Sequence, residues 1–353
     1  MVACTVRSKD DVRSDTVRMA VSTEQIALDA QEVAHDHAPV RLNSVRADRI
    51  AGFDIYIQPG PNNPLTLYCR RNTIFSEEAR QRLIENGIAQ LYIAKNQRRE
   101  YARYIEKHLS EIVADNAISA EEKSEILYAA AGGVVEDVLF GTDLVDGVKR
   151  TKEIVTHAVT AVLTSSVRLA HFLKVNALGY QVPTHSVNVA TYSVFLAQRA
   201  GYADPASLRE IANGSLLHDV GKSKISPRIL SSKEPLTRQE WEELERHPVY
   251  SYEILRETSC LGEIALDIVL HHHEKLSGGG YPDGLSGDSI SPFVRIVTIS
   301  DTFDALTTER PFQPACSSFV ALNRMRLEMD ADLDKDLFRA FVGMMGPQRP
   351  NRA

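Results

Sequence analysis

The chain has 353 residues, 43% hydrophobic and 25% charged, with a formal net charge of -7. That length is enough for two domains and a sizeable core, and the acidic balance argues against a protein that coats duplex nucleic acid, which needs clustered surplus Lys and Arg. No run of about 18 apolar residues is present, so no membrane span is expected, and the early charges Arg7, Asp10, Asp11, Arg13 and Asp15 do not fit a signal peptide.

Residues 1–47 read as a flexible leader with one short helix over Glu24–Val33, in which His35 and His37 are solvated. Residues 48–98 read as a small α/β input or interaction module. Phe53–Ile57 alternates like a strand, Pro59–Pro64 is dense turn chemistry, and Leu65–Tyr68 reads as the returning strand. Ser76 followed by Glu77 and Glu78 starts a helix that Gly87 ends, and Gln90–Ile93 is a third strand. This module holds no catalytic constellation, which makes it a candidate site for a protein partner. Residues 99–174 have helical period, broken at Gly132-Gly133, Gly141 and Gly147. They form a helical connector and a candidate homodimer seam; His157 and His171 read as packing or surface residues. Residues 175–353 read as an all-helical domain. Asp204-Pro205, the capping box Thr237–Glu240 (its helix ending near His247) and Ser291-Pro292 mark its helix starts. The expected class is mainly α, a C-terminal helical bundle with a small N-terminal α/β module. Cys4, Cys69, Cys260 and Cys316 form no CxxC pair and read as reduced thiols of a cytoplasmic protein.

Five of the eleven histidines, His185, His218, His247, His272 and His273, join Asp219 and Asp301 in the C-terminal half. Imidazole and carboxylate suit Mn, Fe, Zn or Ni. In the His218-Asp219 pair the side chains splay apart, so the imidazole can serve one ion while the carboxylate bridges two held roughly 3.5–4 Å apart. The dipeptide alone is weak evidence. The ordered set, with Lys222 just after the pair, is specific.

The segments Leu216–Ser226, His271–Leu285 and Arg295–Phe312 resemble the HD-GYP family of bacterial cyclic di-GMP phosphodiesterases, within the HD metal-dependent phosphohydrolases. The resemblance covers roughly Tyr180 to Met345. It implies a helical HD-type bundle, a di- or trinuclear metal centre and hydrolysis of cyclic di-GMP to pGpG, and slowly to GMP, by a hydroxide bridging the metals. His185, His218, Asp219, His247, His272, His273 and Asp301 match the family ligands, with Asp219 the bridge. Lys222 matches a lysine that holds a substrate phosphate or steadies the hydroxide. Gly280, Tyr281 and Pro282 match the GYP signature, and Arg310 a phosphate-gripping arginine. Arg228 and Arg295 are candidate substrate contacts or partners of nearby carboxylates; Asp304, one turn beyond Asp301, is a candidate orienter. His271 falls just outside the matched pair.

Three positions depart from the family pattern. Gln181 stands where trinuclear members carry a ligating Glu, which favours two ions, Fe or Mn, over three. Ser277 replaces the usual Asp before the glycines, and Gln313 stands where some members are basic. Two rival readings follow: a cyclic dinucleotide receptor with little turnover, and an HD phosphohydrolase acting on another nucleotide or a mixed cyclic dinucleotide.

Overall fold

The computed structural model describes residues 36–60, 63–176, 184–308 and 315–346. Gln181, Arg310, Gln313 and the helix expected over Glu24–Val33 lie outside them. The chain divides into two compact units, Met1–Ile118 and Ser119–Ala353.

In the first unit, strands β1 (His37–Arg41), β3 (Ile55–Ile57), β4 (Thr66–Cys69) and β6 (Gln90–Ala94) form an antiparallel sheet in the order β1-β6-β3-β4. Strands β2 (Arg49–Ile50) and β5 (Ile74–Phe75) pair separately. Strand β1 therefore lies inside the stretch expected as a leader. His37 pairs with Ala94 and its ring lies 4.4 Å from that of Tyr56. β1 is an edge strand, where Pro39 removes no needed donor. Helix α1 (Glu77–Glu85) starts where expected, with the Ser76 side chain accepting from Ala79 N. Helix α2 (Arg98–Ala114) belongs to this unit rather than to a connector: Tyr101 and Tyr104 pack on Phe53, and the Tyr104 hydroxyl accepts from Arg46 N at 2.9 Å. The boundary expected at residue 98 thus moves to Ile118.

The second unit is helical throughout its described residues: α3 (Ala120–Phe140), α4 (Leu144–Leu163), α5 (Leu169–Asn176), α6 (Thr184–Arg199), α7 (Pro205–Leu217), α8 (Pro227–Leu230), α9 (Arg238–Leu244), α10 (His247–Glu257), α11 (Glu263–His271), α12 (Pro292–Thr307), α13 (Ser318–Glu328) and α14 (Lys335–Met345). Helix α7 packs between α6, α11 and α4, and α12 packs on α6. The expected caps form at Asp204, Thr237 with Glu240, and Ser291.

Gly132 and Gly133 do not break α3, nor Gly147 α4. A Cβ on Gly147 would meet Val138 at 2.8 Å, so this glycine lets α3 and α4 approach closely. His247 does not end a helix; it opens α10, with Pro248 in the first turn where its missing N–H costs nothing. Tyr192, Phe303 and Phe341 form edge-to-face contacts at 5.1–6.1 Å that tie α6, α12 and α14 together behind the site. Each buried aromatic of this kind contributes about 1.5–3 kcal/mol.

Candidate metal centre

His218 caps the C-terminus of α7, His272 caps α11, and His247 follows α9. Each uses the same device. Nδ1 donates to the carbonyl three residues earlier: His218 to Ser215 O at 2.6 Å, His247 to Leu244 O at 2.7 Å, His272 to Val269 O at 2.9 Å. Those carbonyls lie in the last helical turns, where backbone oxygens lack helical partners. Because a carbonyl only accepts, the proton sits on Nδ1 and each Nε2 presents a lone pair inward. His185 on α6 does likewise, its Nδ1 donating to Asp304 Oδ2 at 2.7 Å.

Asp219 stands between two groups of rings. Its Oδ2 lies 3.3 Å from His218 Nε2 and 3.6 Å from His185 Nε2, while its Oδ1 lies 3.2 Å from His247 Nε2. Asp301 is placed similarly, with Oδ1 3.1 Å from His185 Nε2 and Oδ2 3.7 Å from His273 Nδ1. Three sets of donor atoms converge closely enough for an ion: His185, His218 and Asp301; His218, Asp219 and His272; His247, His272 and His273. Lys222 donates to Asp219 Oδ2 at 2.6 Å.

This donor set fits a cation. His218 Nε2 and Asp219 Oδ1 are buried without a hydrogen-bond partner. His247 Nε2 and His272 Nε2 face each other at 3.3 Å, although both are lone pairs once Nδ1 donates. Buried polar atoms in that state are costly, and a divalent ion satisfies them together. The electrostatics of the metal-free cluster agree. Burial opposes ionisation of Asp219, but His218, Lys222 and His247 hold it well below the usual carboxylate range. Burial likewise opposes Asp301, which His185, His273 and His218 hold down. Burial disfavours charge on His185 too, yet the carboxylates of Asp301, Asp304 and Asp219 push its pKa up to about 9. Burial drives His273 down to about 3 against the attraction of Asp301, and His247 and Lys222 add to the fall.

All seven residues expected as ligands therefore meet in one place. His271 turns away, bound to Asp267 at 2.7 Å and Asp283 at 3.2 Å. Tyr281 stacks on the site, its ring 4.8 Å from that of His273. Gly280 packs against the chain itself: a Cβ there would lie 2.5 Å from Glu274 Cα and 2.7 Å from His273 O. The Arg295 guanidinium is held by Ile290 O, Gly287 O, Asp334 and Asp288, the carboxylate-paired alternative, and Arg228 pairs with Glu240. Ser277 donates to Asp332.

Two residues escaped sequence reasoning. Glu274, 1% exposed, accepts from Asp283 N at 2.8 Å and Leu285 N at 3.0 Å and so pins the GYP loop beside the histidine pair. Asn188, 2% exposed, donates to Asp304 Oδ1 at 2.8 Å. Its one sequence signal is its place three residues after His185, on the same helix face.

Comparison with known proteins sets this helical domain and its histidine–aspartate cluster beside HD proteins. Residues 167–337 match the family described as HD domain. The chain is 35% identical over 162 residues to the cyclic di-GMP phosphodiesterase PA4108 of Pseudomonas aeruginosa, covering 46% of this chain and 39% of that protein. It is 37% identical over 156 residues to the 3′3′-cGAMP-specific phosphodiesterase 3 of Vibrio cholerae, covering 44% and 34%. The cyclic di-GMP phosphodiesterase response regulator RpfG of Xanthomonas campestris is 37% identical over 128 residues, covering 36% and 34%. The chain thus matches well under half the length of these relatives. The fold is shared with Bd1817, an HDG"Y"P protein from Bdellovibrio bacteriovorus, at TM-score 0.60 and 20% identity over 88% of this chain and 99% of that one. The HD-GYP resemblance read from the motifs is borne out.

Proposed function

We propose that this chain is a metal-dependent phosphodiesterase that hydrolyses cyclic di-GMP to pGpG, and more slowly to GMP. The observation that carries the reading is Asp219, whose two oxygens face separate groups of histidine nitrogens as a bridging carboxylate requires. Two ions, Fe or Mn, held by His185, His218, Asp219, His247, His272, His273 and Asp301 suit the mixed nitrogen and oxygen donors. Bound divalent ions supply Lewis acidity towards a phosphodiester.

The chain's own residues do the rest. Asp219 and Asp301 hold negative charge in a buried site and so fix where cations sit. Lys222, on the solvent side of Asp219 with 29% of its side chain exposed, is placed to meet a phosphate oxygen and neutralise charge gained in the transition state. Tyr281 keeps its proton, since burial and then the charges of Asp301, Glu245 and Asp219 push its phenol up, and it offers the substrate a donor and an aromatic face. Gly280 and Arg310 join the substrate contacts by motif; Arg295, engaged elsewhere, supports the loop.

A second reading, a mixed cyclic dinucleotide substrate, is favoured by the relative named for 3′3′-cGAMP. The test is incubation of the purified chain with each cyclic dinucleotide and Mn(II) or anaerobic Fe(II), products being followed by chromatography against a His218→Ala/Asp219→Ala control. Turnover of cyclic di-GMP that the control lacks supports the proposal, and preferential turnover of the mixed nucleotide supports the second reading. Tight binding without turnover with any metal would make the chain a receptor.

A cytoplasmic location completes the proposal. No helix among the described residues is long and apolar enough to cross a membrane, and Cys69, Cys260 and Cys316, as thiols outside any disulfide among the described residues, suit a reducing compartment. We also propose a protein partner at the N-terminal module and self-association through the helical connector, where Phe140 and Val145 are exposed.

A further inference from the structure

Helix α3 lies outside the residues that match the HD domain, yet one of its side chains reaches into the site's supporting network. Tyr128, 2% exposed, donates its hydroxyl to Asn188 Oδ1 at 2.9 Å. Asn188 Nδ2 donates to Asp304 Oδ1 at 2.8 Å, and Asp304 Oδ2 accepts from His185 Nδ1 at 2.7 Å. Thr308 Oγ1 also donates to that oxygen, at 3.1 Å. Asp304 is fully buried.

The chain of bonds has one polarity. A carboxylate only accepts, so Asn188 must present its NH2 to Asp304 and its carbonyl to Tyr128, and the phenol must donate. Burial, followed by the charge of Asp304 and by Tyr192, pushes the Tyr128 hydroxyl up, which keeps it a donor. The setting is otherwise apolar. The Tyr128 ring borders a cavity of about 60 Å³ lined by Val155, Val159, Val187, Val194 and Phe195. A Phe against an aliphatic residue would pack this seam without the cost of burying two polar groups. The pair therefore acts on what it touches.

We infer that Tyr128 is a positioning residue for the metal centre: through Asn188 and Asp304 it fixes the tautomer and ring orientation of His185, and so makes the ion held by His185 depend on helix α3. The inference rests on the metal-centre reading above. Loss of the hydroxyl leaves Asn188 Oδ1 unpaired, frees the amide to turn, and loosens the carboxylate that orients the imidazole.

The test is Mn(II) or Co(II) binding to the metal-free full chain, followed by electron paramagnetic resonance of free Mn(II) or by Co(II) absorption, for Tyr128→Phe and for Asn188→Ala. His185→Ala identifies which binding step belongs to His185. Outer partners of metal-bound histidines govern affinity by roughly 10–100-fold, so both variants should weaken the His185 step by about tenfold and leave the other step within about twofold. Combining Tyr128→Phe with His185→Ala should weaken binding no further than His185→Ala alone, whereas general loosening of the fold would add to it. Wild-type affinity at both steps in Tyr128→Phe and Asn188→Ala overturns the inference, as does an equal loss that persists in the His185→Ala background. A wild-type chain that takes up no metal overturns the centre itself, a result distinct from either.

Discussion

Replacing Glu274 by Ala removes a carboxylate that holds the loop from Gly278 to Gly287 by two backbone amides, those of Asp283 and Leu285. A hydrogen bond to a charged group contributes about 1.5–3 kcal/mol. Water can re-enter beside a loop once the side chain is gone, so the two bonds together should be worth about 2–4 kcal/mol rather than their full sum. The hydrogen bonds lost are local, because both run from the Glu274 carboxylate to amides of the loop. Hydrogen exchange read by NMR should therefore show the Asp283 and Leu285 amides losing protection by roughly 30- to 1,000-fold, the range that 2–4 kcal/mol implies. Amides at the centre of α7 should change far less. Glu274→Gln keeps one acceptor but turns an NH2 towards the other amide, and should fall between Ala and wild type. Unchanged exchange at 283 and 285 in Glu274→Ala would show that the carboxylate does not anchor the loop.

Four further outcomes are expected. His185 stays protonated up to about pH 9 in the metal-free chain and must lose that proton to bind an ion, so Mn(II) affinity should rise about tenfold per pH unit between pH 7 and 9 and then level off; calorimetry in buffers of different ionisation heat should find about one proton released at pH 7. In that metal-free chain the raised pKa also adds stability, in full below the usual 6.5 and lost as pH rises through about 9, which thermal unfolding against pH would register. Gly280→Ala forces a Cβ to 2.5 Å from Glu274 Cα and should cost about 1–3 kcal/mol with a shifted His273 ring, read by unfolding and metal titration. Arg295→Ala should lower the unfolding midpoint by several degrees, since Asp334 and two carbonyls lose their donor, while leaving KM within about threefold.

What the sequence revealed, and what it hid, divides by range. Helix starts at Ser76, Asp204, Thr237 and Ser291 are local devices completed within three or four residues, so they could be read directly. The seven residues that converge in the candidate metal centre could be read because histidines and aspartates in that order are rare without a shared task. Strand β1 was hidden because it is five residues long, carries a proline, and owes its form to pairing with β6 some fifty positions later. Gly132 and Gly133 looked like breaks because helix propensity counts only the cost of a glycine and not the packing that tertiary contact supplies. Tyr128 was invisible for the same reason at greater distance: its partner is 60 residues away, and nothing in the local pattern around either residue advertises the bond.

The hydrogen bonds that three histidines send back to the final turns of the helices preceding them also govern how this chain can change length. Each imidazole is indexed to a carbonyl three positions earlier, so one residue inserted in the last turn before His218, His247 or His272 would rotate the ring by about 100° and advance it about 1.5 Å. No side-chain rotation restores both the back-bond and the inward nitrogen after such a step. Insertions and deletions should accordingly be accepted in the loops between these helices and rejected in the turns that end them, a pattern that a library of single-codon insertions would expose.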